Sequence, residues 1–234
     1  MLKPHGESDT ANFDDDSGER YEVLLRVLDD DGRIILPRAY LPAAERYNLA
    51  TRIDRWVVRK TLYWITEHPD FVERLAMCSI NLSGQTLGDE EFPSFVTELL
   101  RITKAPAHKI CFEITESSAI ANLLGATRAI RDLKAWGCRF ALDDFGSGLS
   151  SFAYLKNLDV DYLKIDGMFV KDIVDDPIDL AMVRSINDIG HVMGKKTVAE
   201  FVENDAILML LREIGVDYAQ GFGIGRPKPM GAPD

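Results

Sequence analysis

The chain has 234 residues, 46% hydrophobic and 28% charged, which fits one large soluble α/β domain or two small ones. A formal net charge of −11 argues against a nucleic-acid polymer as partner, because that needs a basic face, but leaves room for a small phosphate ligand neutralised by metal ions. No apolar run approaches the roughly 20 residues of a membrane span and the N-terminus lacks a signal peptide's apolar core. The default expectation is therefore a cytoplasmic domain, by itself or as the cytoplasmic part of a membrane-anchored protein.

Residues 5–20 are polar and acidic, with Glu7, Asp9, Asp14, Asp15, Asp16 and Glu19, and read as a flexible loop or linker. The spacing then predicts a strand over 21–28, a turn at Asp29-Asp30-Asp31-Gly32, and helices over 38–48 and 51–67. A strand over 75–82, a helix over 93–103 and a strand over 109–115 follow. Next come a helix over 122–136 stopped by Gly137, a strand over 139–144 and a short helix over 150–156. A strand over 161–165 precedes a long helix over 177–193 stopped by Gly194. The last elements are a strand over 196–199, a helix over 205–214 stopped by Gly215, and a strand over 216–219.

Alternating strands and helices imply a parallel sheet covered by helices, either a doubly wound sheet or a (β/α)8 barrel. No Gly-x-Gly-x-x-Gly turn follows an early strand. Polar groups after nearly every strand favour the barrel, which gathers strand ends onto one face. Seven strands are predicted from Tyr21 onward, so an eighth has to come from residues 1–4 or lie outside this chain.

Those polar groups are the informative feature. The apolar runs end at Asn81, Glu113, Asp143-Asp144, Lys164-Ile165-Asp166, Glu200 and Gln220, and Glu116 stands one turn beyond Glu113. Buried strands do not normally end on lone acids, whose burial costs several kcal/mol or shifts the pKa. Collected on one rim, such acids require cations. Glu113, Asp143, Asp144, Glu200 and Asn81 form an all-oxygen donor set that suits Mg²⁺ or Mn²⁺ and admits Ca²⁺. An aspartate shared by two cations is a recurring device of phosphoryl transfer, and Lys164 can steady a hydroxide or a phosphate oxygen. The three cysteines, Cys78, Cys111 and Cys138, lack metal-ligand spacing and read as inert core thiols. The four histidines, His5, His68, His108 and His191, miss the strand ends, which weakens zinc or histidine-rich di-iron chemistry. Two Gly-rich stretches are expected to border the rim: a loop after Asp144, expected to order on metal or substrate binding, and Gly221-Phe222-Gly223-Ile224-Gly225-Arg226-Pro227.

In order along the chain stand Glu22-Val23-Leu24-Leu25-Arg26, Asn81-Leu82-Ser83, Glu113-Ile114-Thr115-Glu116, Asp143-Asp144-Phe145-Gly146-Ser147-Gly148, Lys164-Ile165-Asp166, Ala199-Glu200-Phe201-Val202-Glu203 and Gln220-Gly221. Together they resemble the EAL family of bacterial cyclic di-GMP phosphodiesterases, over about residues 21–229. The resemblance implies a TIM-like (β/α)8 barrel with one antiparallel strand, over residues 21–230. Residues 1–20 are then a flexible N-terminal segment or the remnant of the first strand. It implies hydrolysis of cyclic di-GMP to linear pGpG with two Mg²⁺ or Mn²⁺ per site and Ca²⁺ as an inhibitory ion.

By the same resemblance, Glu22, Asn81, Glu113 and Asp143 would hold the first metal, and Asp143 and Asp144 the second, with Glu200 nearby. Glu200 would act as general base and Lys164 would contact the nucleophilic water. Leu24, Arg26, Asp166 and Gln220 would contact substrate, while Glu116, Ser147 and Glu203 would support the loop and the ligands. The chain departs from the family pattern at Val23, usually alanine, at Ser147 and Leu149, usually threonine and tyrosine, and at Phe201 and Asn204, usually glycine and threonine. A homodimer and an upstream GGDEF or sensory domain are implied partners. Two other readings remain open. One is a catalytically weak or inactive receptor for cyclic di-GMP. The other is an unrelated barrel enzyme acting on a sugar phosphate or enolate, which would not explain Glu22 to Arg26.

Overall fold

The computed structural model describes residues 2–8, 10–12, 18–147 and 152–230; of residues 2–8 and 10–12, Arg38 and Phe152 only the backbone is described. The strands are β1 Leu2–Ser8, β2 Thr10–Asn12, β3 Glu19–Leu28, β4 Ile34–Ile35, β5 Leu75–Leu82, β6 Ile110–Thr115, β7 Arg139–Phe145, β8 Tyr162–Ile165, β9 Lys196–Ala199, β10 Tyr218–Gln220 and β11 Pro227–Pro229. β3 and β5 to β10 pair in chain order, all parallel. β1 runs antiparallel to β3, and β2 runs antiparallel to β10. Since β1 and β2 follow each other along the chain, this one segment joins both edges of the parallel run and closes the expected barrel. β4 and β11 are short additions to β3 and β1.

The segment read as a flexible loop over residues 5–20 is thus corrected in part. β1 pairs with β3 from Leu2 opposite Val27 to Ser8 opposite Tyr21. A polar composition does not forbid this, because a closing strand draws on its backbone ladder rather than on buried side chains. The structure also adds helices at Pro69–Arg74, Gly84–Leu87, Glu116–Ala121 and Gly167–Val170, each too short for a helical period to register in the sequence. The short helix expected over 150–156 is a 3-10 helix at Phe152–Asn157.

Alternation along the parallel strands separates two cores. Outward-facing residues such as Ile80, Phe112, Ile114, Phe140, Leu142, Leu163 and Ile165 are buried against the helices. Phe92, on the helix Phe92–Thr103, packs edge-on to Phe112 at 6.3 Å between ring centroids, and Phe112 lies 5.6 Å from Phe140. Cutting such a ring back to alanine costs about 3–5 kcal/mol. Inward-facing Met77, Cys111, Ala141, Tyr162, Val198 and Tyr218 form a separate cluster inside the barrel. Arg20 crosses it, donating to Tyr218 Oη at 3.0 Å with its guanidinium 4.2 Å from that ring's centroid. Two residues further along each strand, the next inward position is polar. Arg20 is followed by Glu22, Cys111 by Glu113, Ala141 by Asp143, Tyr162 by Lys164, Val198 by Glu200 and Tyr218 by Gln220. The site is therefore one inward layer of the barrel, stacked on an apolar one.

Candidate active site

Lys164 stands at the centre of that layer and is 2% exposed. Its Nζ lies 2.7 Å from Glu113 Oε2, 2.8 Å from Glu200 Oε1, 2.9 Å from Asp143 Oδ1 and 3.7 Å from Glu22 Oε2. Glu22 is fixed from both sides: Asn81 Nδ2 donates to Oε1 and Gln220 Nε2 to Oε2, each at 2.6 Å. Asp143, Asp144 and Glu200 each offer a carboxylate oxygen, all within 4.8 Å of one another. Two successive residues of a regular strand face opposite ways. Asp144 escapes this through a left-handed backbone, φ 53°, where the β7–β8 register shifts. Both aspartates therefore reach one rim.

The charges are out of balance. Burial pushes Glu113 up to about 8, reinforced by Glu22 and Asp143 and opposed by Lys164. Burial likewise lifts Glu200 well above its ordinary value, and Asp144 goes up to about 6 through burial and the charges of Asp143 and Asp166. Glu22 moves down, because Lys164 and the two amide donors outweigh its burial. Lys164 is held well above the ordinary lysine range, its burial outweighed by Asp143, Glu113 and Glu200. Asp143 Oδ1 is buried and, although close to Lys164, accepts no hydrogen bond among the described residues. One ammonium among five carboxylates, with an acceptor oxygen left over, fits hard divalent cations such as Mg²⁺ or Mn²⁺.

A cavity of ≈ 380 Å³ opens above the acids, with Glu22, Asp143, Asp144 and Glu200 on its floor. Leu24, Phe201, Phe222 and Pro227 give it apolar walls, and Arg26, Glu203 and Gln220 its polar margin. Phe201 has a left-handed backbone, φ 56°, and the residue is 62% exposed. The ring lies against Gly167, where a Cβ would come 2.0 Å from Phe201 Cδ2. Phe201 thus borders the cavity beside Glu200 without occupying the acid layer.

The remaining sequence-derived candidates lie around this core. Glu113 and Lys164 are buried, Asn81 is exposed, and none of the three lines the cavity. Glu116 is buried and ties down the loop after β7, accepting from Gly146 N at 3.0 Å and from Tyr154 Oη at 2.5 Å. Ser147 Oγ donates to the Asp144 carbonyl at 2.8 Å. Asp166, expected to contact substrate, spends Oδ1 on capping the helix Gly167–Val170 through Met168 N at 2.8 Å, and does not line the cavity. Asn204 caps the helix Asp205–Ile214 through Ile207 N at 3.0 Å, so that departure from threonine keeps the cap. Gly148 to Ser151, the rest of the Ser/Gly loop with Leu149, lie outside the described residues. Tyr154 is not legible in the sequence, since no local pattern marks a phenol whose partner is 38 residues away, whereas Pro227 closes the Gly-rich stretch expected to border the site.

Fold and rim together define a class: a TIM-like (β/α)8 barrel whose mouth carries an acidic group able to hold metal ions. The EAL domain model matches residues 12–227, and the chain belongs to the EAL domain family. It is 46% identical over 212 residues to the cyclic di-GMP phosphodiesterase PdeB of Shewanella oneidensis, covering 91% of this chain and 25% of that protein. It is 37% identical over 210 residues to the cyclic di-GMP phosphodiesterase PdeF of Escherichia coli, covering 90% of this chain and 28% of that protein. The chain therefore spans about a quarter of the length of these curated relatives. Among solved structures, the FimX EAL domain from Pseudomonas aeruginosa bound to c-di-GMP superposes with a TM-score of 0.90 at 29% identity, covering 97% of this chain and 90% of that one. The PaMucR phosphodiesterase in complex with c-di-GMP gives 0.88 at 30% identity, covering 97% and 92%.

Proposed function

We propose that this chain is a metal-dependent phosphodiesterase domain that hydrolyses cyclic di-GMP to linear pGpG. The observation that carries this reading is the layer of five carboxylates around one buried ammonium, at the floor of a cavity with apolar walls. The names of PdeB and PdeF and the nucleotide bound to the FimX and PaMucR domains support it.

In this reading Glu22, Asn81, Glu113 and Asp143 would hold one Mg²⁺ or Mn²⁺, and Asp143 and Asp144 a second, with Glu200 beside it. Bound there, such cations would neutralise the phosphate and lower the pKa of the attacking water. Glu200 receives that water's proton, for which a carboxyl made more basic by burial is suited. Lys164 holds Asp143, Glu113 and Glu200 in register and presents its ammonium towards the attacking water. Gln220 orients Glu22, and Leu24 and Arg26 bind the nucleotide at the cavity wall. Glu116 anchors the loop that carries Asp144 and Ser147.

The other partners belong to the same proposal: a second copy of the chain, and an upstream GGDEF or sensory domain in a longer protein. Among the described residues no helix is long and apolar enough to cross a membrane, and we assign the domain to the cytoplasm. One observation favours a receptor that binds without cleaving, the bulky Phe201 next to the base. A single assay separates the two readings. Purified protein is incubated with cyclic di-GMP and Mg²⁺, Mn²⁺, Ca²⁺ or EDTA, and pGpG is read by chromatography. Product with Mg²⁺ or Mn²⁺, and none with Ca²⁺ or EDTA, is expected. Folded protein that binds nucleotide and Mn²⁺ yet forms no pGpG overturns the hydrolase.

A further inference from the structure

Asn81 stands two residues before a turn that is gripped from outside the acid layer. Asp54, on the helix Ala50–Glu67, is buried, and its Oδ2 accepts three hydrogen bonds: from Ser83 N at 2.8 Å, Ser83 Oγ at 2.7 Å and Thr86 Oγ1 at 2.6 Å. Among the described residues Asp54 has no cationic partner. Burial pushes its carboxyl up against the pull of those donors. A buried carboxylate without a countercharge is a costly way to end a strand. Capping of the helix Gly84–Leu87 does not demand it, because Ser83 Oγ itself accepts from Thr86 N. What the three bonds fix is the path by which the chain leaves β5.

The same turn is pressed from its other side. Gly84 packs so close to the turn after β6 that a Cβ there would meet Ser118 Oγ at 3.1 Å. Ser118 is itself held by Thr115 Oγ1 at 2.8 Å. Gln85 Nε2 reaches back to the Glu45 carbonyl at 2.6 Å. Within β5, Asn81 lies opposite Glu113 and donates to Glu22. A shift of the turn therefore moves the Asn81 carboxamide relative to two of the candidate ligands.

We propose that Asp54 is a positioning residue for the cation site, fixing the end of β5 through Ser83 and Thr86 and so holding the Asn81 carboxamide beside Glu22. The assignment rests on Asn81 being a ligand, as in the proposed function. It is tested by Mn²⁺ binding to the nucleotide-free protein, followed by loss of the free-ion EPR signal. The variants are Asp54→Asn and Ser83→Ala, with Thr61→Val as a control on the same helix. The Thr61 hydroxyl is buried and has no hydrogen-bond partner among the described residues, so its loss leaves the Mn²⁺ curve unchanged. A neutral amide oxygen accepts fewer bonds than a carboxylate, so Asp54→Asn is expected to weaken Mn²⁺ about tenfold while the circular dichroism spectrum stays as in wild type. Ser83→Ala is expected to act in the same direction, and the double variant to lose less than the product of the two, because both cut one linkage. Should Asp54→Asn fail to fold, Ser83→Ala carries the same comparison. Folded variants whose Mn²⁺ curves overlay wild type overturn the positioning role. A wild-type protein that binds no Mn²⁺ overturns the metal reading beneath it.

Discussion

Lys164→Met keeps the buried stem and deletes the ammonium that four carboxylates share. Removing one partner of a buried ion pair costs about 3–5 kcal/mol, since the other charge is left uncompensated. Here three carboxylates lie within 2.9 Å of the lost group, which places the cost at the upper end. For a domain of this size about 1 kcal/mol moves Tm by roughly 2–4 °C, so a fall of about 10–20 °C is expected. The fall depends on pH. Glu113 is raised to about 8, so its stabilising contribution is full below the ordinary glutamate range and is lost as pH rises through about 8. The variant should therefore be more damaged at pH 8.5 in EDTA than at pH 5.5, where Glu113 is protonated. Mn²⁺ at pH 8.5 should restore part of the loss, by replacing one positive charge with others. Thermal unfolding by circular dichroism, at both pH values with EDTA or Mn²⁺, reads all of this. A variant that melts with wild type at pH 8.5 in EDTA refutes the view that this ammonium balances the acid layer.

Three further outcomes follow from the same geometry. Glu200→Gln is expected to lower kcat about 10²–10⁴-fold with little change in nucleotide affinity by calorimetry, and an equal loss of affinity would make Glu200 mainly a ligand. Mn²⁺ affinity should tighten, with proton release, as pH rises through the values of about 6 and 8 to which Asp144 and Glu113 are pushed, and calorimetry in buffers of different ionisation enthalpy counts those protons. Gly167→Ala places a methyl where Phe201 Cδ2 stands 2.0 Å away, so it should raise KM by displacing the cavity wall. Phe201→Ala in the same chain should relieve that clash, and a double variant no better than Gly167→Ala alone would locate the damage elsewhere.

Much of the site was legible because barrel strands alternate. An apolar inward residue followed two positions later by an acid, amide or lysine is a pattern that an ordinary buried strand does not tolerate. In the sequence it shows as apolar runs that end at Glu113, Asp143, Lys164, Glu200 and Gln220. Glu22 carried no such mark, being in the middle of the ten-residue β3 rather than at an end, and emerged only through the family motif. What stayed hidden depends on contacts distant in sequence or on backbone pairing. The Tyr154–Glu116 bond and the Asp54 grip on Ser83 join separate elements. β1 is polar enough to resemble a linker, and its place in the barrel comes from register with β3. Asp166 stands one residue beyond β8, and its carboxylate caps the next helix through Met168 N, a contact that the sequence does not mark.

The central claim is that the acid layer, loaded with cations, cleaves cyclic di-GMP. Turnover of cyclic di-GMP in Mn²⁺ by wild type and by Asp143→Asn, side by side, tests it most directly, since Asp143 alone is assigned to both cations and touches Lys164. The account predicts pGpG from wild type and none from a folded Asp143→Asn. Near-normal pGpG formation by that variant would contradict it.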